Sequence, residues 1–366
     1  MKILLWSPYS FPHIGGMEVL LHTLALQLKA MGHEVKVLSS NMESDDCKEF
    51  EIDGIPIFLF PFIRALTHLN LPVVKNILNK VKMFINDFSP DIVNIHGWHE
   101  LPAFYQVRAL ANSNIPLLLT IHGTLEQDDY KTPSCLRLMA MAHAVSAVSE
   151  ALRRDFCSLG INSPPVQLIH NALIIPRAPI KPVDTQSQHI VMIGRLSVEK
   201  GFEIAFAAIK NLLPRYPQLR LTVVGDGPLI NTLTALKREL GIEHAITMMG
   251  FVPHEEVFGY IDAAAFVLMP SSYESFGLVA LETAMRGRAI IASNVVGLPE
   301  IIDHNTTGIL IDPVNAETLQ QAIDFLLQNP DKIREMGFAA KEKSKLFCVE
   351  NMADQYEKIY NDIAIG

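Results

Sequence analysis

The chain has 366 residues, more than one hydrophobic core usually serves, and 49% of them are hydrophobic against 19% charged, so two ordinary globular domains are expected. A net charge of −9 excludes nucleic acid as a main partner, because binding a phosphate backbone needs a basic footprint. Four scattered cysteines, Cys47, Cys135, Cys157 and Cys348, have no CxxC spacing and read as reduced cytosolic thiols.

In chain order, "MKILLWSPYS" reads as a short strand and not as a signal peptide, and no run of about 18 apolar residues follows anywhere, so a cytoplasmic protein is expected. Short apolar runs then alternate with amphipathic stretches, the pattern of βα units around parallel sheets. In the first half the strands are "KILLW", "EVKVLSS", "IPIFLF", "DIVNIH", "PLLLTIH", "AVSAVS" and "VQLIHN". The clearest helix is "MEVLLHTLALQLKAMGH", with Gly32 at its C-terminal end. Between Gly54 and Asn86 lie Arg64, Lys75, Lys80 and Lys82 without an acidic side chain, a segment that reads as a packed helix with a solvated basic edge or, alternatively, as a peripheral contact with a lipid surface at the inner face of a membrane.

After "VQLIHNA", the prolines and polar run of "LIIPRAPIKPVDTQSQ" break both periodicities, as a linker does. The pattern then restarts with "HIVMIGR", "LRLTVVGDG", "AITMMGF", "AAFVLMPS", "AIIAS" and "GILID". The fold class expected is α/β, with two Rossmann-like doubly wound parallel-sheet domains facing a cleft, ligands binding beyond the carboxyl ends of the strands. The boundaries read as a first domain over 1–172, a linker over 173–187 and a second domain over 188–348.

The strand-end loops carry the candidate chemistry. Gly15 and Gly16 precede the first helix and offer its free N–H groups to an anion. This is not GxGxxG, and no acid ends the second strand to hold an adenosine ribose, which disfavours a nicotinamide enzyme. His96, His99 and His122 end neighbouring strands, but the carboxylate spacing of a zinc site is absent and no metal is expected. "GRLSVEKG" places Gly194, Arg195 and Lys200 at a strand-to-helix turn, a pyrophosphate clamp or else a surface loop salt-bridged through Glu199. The "GDGP" turn at Gly225 and the "GFVP" turn at Gly250 offer backbone groups to a base edge, or are simply tight turns. In "ESFGLVALETAM" a helix is expected to start near Gly277 or Leu278, its free N–H groups from about Phe276 to Val279 facing an anion. Glu282, one turn in, suits two ribose hydroxyls, and Glu274, before the helix, suits the group hanging from the phosphates. The apolar surroundings of Glu282 argue against a merely solvated helix face.

With these motifs in order ("GGMEV", "IHG", "AVSE", "HNA", "GRLSVEKG", "GDGP", "GFVP" and the Glu274-x7-Glu282 pair), the whole chain resembles the retaining glycosyltransferases of the GT-B fold, glycosyltransferase family 4, also called glycosyl transferases group 1. The resemblance implies that Glu274 contacts the transferred sugar, Glu282 the ribose, the Gly16 loop with Arg195 and Lys200 the diphosphate, Phe251 and Val252 the base, and His122 the sugar near the reacting carbon. Gly15, Gly194, Gly225, Ser275, Phe276, Gly277 and Leu278 complete the donor side it implies, while His96, His99, Ser149 and Asn171 fall on the acceptor side. It further implies no metal or other cofactor, retention by front-face attack, and a last helix, 349–366, that crosses back to the acceptor-binding first domain. The expected donor is a UDP-sugar and the acceptor a glycan, lipid-linked glycan or small molecule. The alternatives are a nucleotide-sugar epimerase of the same fold and a non-catalytic nucleotide-sugar binding protein. The chain departs from the family in "ETAMRGRAI", where Arg286 replaces a small residue and Ala289 a proline; the two added cations are read as a local acceptor or anion surface.

Overall fold

A computed structural model describes residues 1–9, 15–97, 99–123, 132–161, 163–174 and 179–365; the first glycine-loop residues 10–14, Trp98 and the middle of the predicted linker, 175–178, lie outside the described residues. The chain forms two compact units, Met1–Ile174 with Val349–Gly366, and Ile175–Cys348.

The first unit runs β1 (Lys2–Trp6), α1 (Gly16–Ala30), β2 (Glu34–Ser40), β3 (Lys48–Ile52), β4 (Ile55–Phe60), α2 (Phe62–Thr67) and α3 (Leu71–Phe88). It continues with β5 (Ile92–His96), α4 (Glu100–Leu110), β6 (Leu117–Ile121), α5 (Pro133–Met141), β7 (Ala144–Ala147), α6 (Glu150–Ser158) and β8 (Val166–Leu168). Among the described residues its sheet has the order β3-β4-β2-β1-β5-β6-β7-β8, parallel except at β3-β4. Central strands such as β5 and β6 are buried at every residue, which is why they read as mostly apolar runs, their polar members Asn94, His96 and Thr120 being hydrogen-bonded.

β3 was not expected. Its sequence "KEFEI" holds only two apolar residues, alternating with glutamates, and it folds back on β4 through Asp53 (φ 51°) and Gly54 (φ 73°). An Asp-Gly pair with both residues at positive φ makes the tight hairpin turn that suits strand twist, so the dipeptide was the signal available. The basic segment that follows is β4, α2 and α3. The α3 apolar stripe, Val74, Ile77, Val81, Ile85 and Phe88, is buried within the first unit, so the packed-helix alternative describes it.

The second unit runs β9 (His189–Ile193), a 3-10 turn (Val198–Lys200), α7 (Phe202–Leu212), β10 (Arg220–Val224), α8 (Ile230–Glu239), β11 (Ile246–Met248), α9 (His254–Ala263) and β12 (Phe266–Met269). After these come α10 (Leu278–Met285), β13 (Ala289–Ser293), α11 (Leu298–Ile301), β14 (Ile309–Ile311), α12 (Ala316–Gln328) and α13 (Pro330–Ser344). The sheet order is β11-β10-β9-β12-β13-β14, with every pair parallel. Its core packs Phe202, Phe206 and Ile209 of α7 and Leu319 and Ile323 of α12 against the strands.

The last helix, α14 (Val349–Ile365), returns to the first unit and lies against α1. A buried polar seam holds it to the first sheet: Asn94 Nδ2 donates to Tyr360 Oη at 2.8 Å, Thr120 Oγ1 donates to Asn94 Oδ1 at 3.0 Å, and Thr120 and Ser146 hydroxyls bond at 3.0 Å. His33 Nε2 adds a contact to Glu357 at 2.9 Å. Every polar group in the seam named here has a partner, which is the condition for burying it.

Candidate functional site

In an open parallel sheet a crevice forms where the strand order reverses, because the connections leave on opposite faces there. In the second unit that point lies between β9, whose next strand in sequence is on one side, and β12, on the other. Their loops carry Gly194, Arg195 and Lys200 after β9, and Glu274 after β12.

Lys200 closes the 3-10 turn, and its Nζ donates to Glu274 Oε1 at 2.6 Å; Ser271 Oγ donates to the same oxygen at 3.0 Å. The backbone reinforces the junction, Ser272 N–H donating to Glu199 O at 2.7 Å. Arg195 is exposed, and its side chain makes no hydrogen bond or ion pair among the described residues, while its carbonyl accepts from Ser197 N–H at 2.9 Å. In this loop the Glu199 carboxylate accepts from Ser197 Oγ, and the Lys200 ion pair is with Glu274. Gly225 (φ 138°), at the end of β10, lies against the Gly194 carbonyl so closely that a Cβ would collide with it, and its N–H donates to Gly250 O at 2.9 Å.

α10 begins after Gly277, which has φ 98°, and a Cβ there would lie 2.6 Å from Leu298 Cδ2. No side chain caps this helix start, and Leu278 and Val279 lead its first turn. Phe276 is buried, edge-to-face with Phe347 at 5.7 Å, while Ser275 is half-buried. Glu282 is buried and accepts from His254 Nε2 at 2.6 Å. The hydrogen bond to Glu282 raises the His254 pKa above its ordinary value. Sequence reasoning missed His254; its place directly after the "GFVP" loop was the only signal. Within that loop Phe251 is 57% exposed, leaving a ring face open to stack on a base, and Val252 packs on Val191, Val224 and Ala264.

In the first unit the strand order reverses between β1 and β5. Gly15 ends the loop after β1 in extended conformation and Gly16 opens α1; the Glu18 carboxylate of the first turn would lie 2.6 Å from a Cβ at position 15. His96 ends β5 and His122 follows β6, and their rings bond through His96 Nδ1 and His122 Nε2 at 2.9 Å. Burial lowers both: His122 to about 4, and His96 well below the ordinary histidine value, with His122 as a second cause. Both imidazoles are therefore neutral near pH 7 and offer hydrogen bonds, not charge. His99 caps α4, its Nδ1 accepting from Leu101 N–H at 3.4 Å, and Ser149 is fully buried and caps α6, accepting from Leu152 N–H at 3.3 Å. Asn171 is buried, with Oδ1 lacking a partner among the described residues.

The reading of Arg286 and its neighbour as an acceptor or anion surface is corrected. Arg286 and Arg288 are 2% and 1% exposed. Arg286 Nε donates to Asp262 Oδ1 at 2.8 Å and its Nη2 bonds Asp262 Oδ2 and, at 3.0 Å, Pro179 O; Arg288 Nη2 donates to Lys181 O at 2.8 Å. Within the second unit, the pair fastens Pro179 and Lys181 beside Asp262 of α9. A surface cavity of about 300 Å³ lies wholly in the first unit, beside Asp45, Cys47, His68 and Lys80, and no predicted site residue lines it. Among the described residues no group of three or more His, Cys, Asp or Glu is gathered that could hold a metal ion, and no helix is long and apolar enough to cross a membrane.

Two family models match in tandem: Glycosyltransferase Family 4 over residues 14–175 and Glycosyl transferases group 1 over residues 178–343. The chain is 26% identical over 379 residues to an uncharacterized glycosyltransferase of Methanocaldococcus jannaschii, covering 95% of this chain and 94% of that protein. Among solved structures it resembles a sucrose-phosphate synthase from Thermosynechococcus elongatus (TM-score 0.84, 22% identity, 99% of each chain). It also resembles HepE of Anabaena in complex with UDP and glucose (TM-score 0.78, 20% identity, 99% of each chain). These likenesses are of fold.

Proposed function

The chain belongs to glycosyltransferase family 4, with the GT-B fold, and on that premise we propose that it moves a hexose from a UDP-sugar to a hydroxyl of a glycan, lipid-linked glycan or small-molecule acceptor, retaining anomeric configuration and needing no divalent ion. The observation that carries this reading is the joining of Lys200 to Glu274 at the switch point of the second sheet, beside an uncapped helix start. Preorganised cations and N–H groups at one place stabilise charge as it develops on a leaving diphosphate. UDP is favoured because a fold neighbour was solved with it.

In this reading residues 188–348 bind the donor and residues 1–172, with 349–366, the acceptor. Arg195 and Lys200 take the diphosphate, and the α10 start adds its N–H groups. Glu274 orients the sugar and Glu282 the ribose, while Phe251 and Val252 meet the base. His122, being neutral, bonds a sugar hydroxyl. The anomeric C–O bond to the diphosphate breaks as the acceptor oxygen bonds the same face of that carbon, and the departing phosphate oxygen takes the acceptor proton.

A thermal-shift titration with UDP, GDP, ADP and NAD, each with and without Mg²⁺, tests the reading. A ligand that binds only the folded state stabilises it by about 2.7 kcal/mol at a hundredfold excess over its Kd. A shift with one nucleoside diphosphate and not with NAD, unchanged by Mg²⁺, is expected. Stabilisation by NAD alone, or by no diphosphate, would overturn it.

A further inference from the structure

His254 has no part in the reaction as proposed, yet it touches a residue that does. The Glu282 side chain is 6% exposed and rests in an otherwise apolar helix, where a carboxylate without a partner is costly. His254 supplies the partner at 2.6 Å, and its ring is braced edge-to-face on Phe258 at 5.4 Å. His254 is the first residue of α9. A cationic side chain is disfavoured at that end of a helix, so helix formation does not explain the residue, whereas the bond to Glu282 does.

The bond engages only Oε1. Among the described residues Glu282 Oε2 has no hydrogen-bond partner, and it is not one of the buried unpartnered atoms, so it borders accessible space. His254 also follows the base-side loop of Phe251 and Val252 without a break, so the backbone that shapes that loop positions the imidazole as well.

We propose that His254 is a positioning residue for nucleotide selection: by holding Oε1 it fixes the Glu282 carboxylate with Oε2 presented to a ribose hydroxyl, and the pair selects ribonucleoside over deoxyribonucleoside diphosphates. The inference rests on the reading of Glu282 as the ribose ligand. A site built around a hydroxyl rejects the analogue lacking it because its own polar group is then left unpaired, and that rejection is strong only where the group cannot turn away. His254 removes the freedom to turn.

The test is calorimetric binding of UDP, GDP and ADP, each beside its 2′-deoxy and 3′-deoxy counterparts, to the full chain and to His254→Phe, His254→Asn, His254→Gln and Glu282→Gln. The quantity read is the ratio of deoxy to ribo Kd within one variant, in which general damage to the fold cancels. The wild type is expected to prefer one ribonucleotide by at least about tenfold over a deoxy counterpart. His254→Phe and His254→Asn, the second with an amide too short to reach, lower the ratio to below about threefold, and either suffices if the other fails to fold. His254→Gln, whose amide N–H takes the place of Nε2–H, restores most of it. An unchanged ratio in His254→Phe or His254→Asn, with the ratio lost in Glu282→Gln, overturns the role of His254 and leaves Glu282 as ribose ligand. An unchanged ratio in Glu282→Gln overturns both, and a wild type that binds no nucleotide overturns the transferase reading itself.

Discussion

Lys200 Nζ donates to Glu274 Oε1 at 2.6 Å, joining residues 74 positions apart across the switch point of the second sheet. The cation read as a phosphate ligand and the carboxylate read as a sugar ligand are thus one coupled pair. Each of Lys200→Ala and Glu274→Ala is expected to lower transfer by at least about a hundredfold. The double substitution should lose far less than the product of the two, since either single change already leaves the other group without its charged partner. A double-mutant cycle on kcat/KM measures this, and a fully multiplicative loss would mean that the two residues act separately.

Arg195 is exposed and its side chain has no hydrogen-bonding partner among the described residues. Arg195→Ala should therefore leave the stability of the protein alone within about 0.5 kcal/mol. It should weaken nucleoside diphosphate binding by roughly tenfold to a hundredfold, the usual range for a charge-assisted hydrogen bond. Chemical denaturation and calorimetry separate the two effects, and unaltered binding would remove Arg195 from the clamp.

The Arg286–Asp262 pair is buried on both sides, 2% and 5% exposed at the side chains. Breaking such a pair strands a buried charge, so Asp262→Ala should lower the unfolding free energy by about 3–5 kcal/mol. Urea titration reads the loss. A change under about 1 kcal/mol would mean that the buried pair does not hold the fold together.

The His96–His122 pair predicts acid sensitivity in the first unit. Both pKa values are depressed by burial, His122 to about 4. The unfolded chain takes up protons near the ordinary histidine value of about 6.5 while the folded pair does not, so stability falls as pH drops from about 6.5 towards 4. Above about pH 7 the pair contributes no slope. Melting His122→Asn beside the wild type across this range should show a shallower fall in the variant, and parallel curves would refute the assignment.

The sequence by itself determined the strands of both sheets wherever they are central, because a strand covered on both faces is mostly apolar, as β5 and β6 are apart from the hydrogen-bonded Asn94, His96 and Thr120. Local chemistry likewise carried the start of α10 at Gly277 and the turn at Gly32 (φ 92°) that follows α1. At the edge this reasoning failed: two of the five β3 residues are glutamates and only its Asp53-Gly54 turn marked it. Motif order named Lys200, Glu274 and Glu282, but not what each one touches. Their partners and that of Arg286 stand 74, 28 and 24 residues away along the chain. Spacing along a chain reports the conformation of one segment, and it holds no information on which loops meet. Strand order decides that: β9 lies between β10 and β12, so the Lys200 turn and the Glu274 loop emerge side by side. Burial then decides the rest, leaving Glu282 and Asp262 too little exposed to stand alone and drawing His254 and Arg286 onto them.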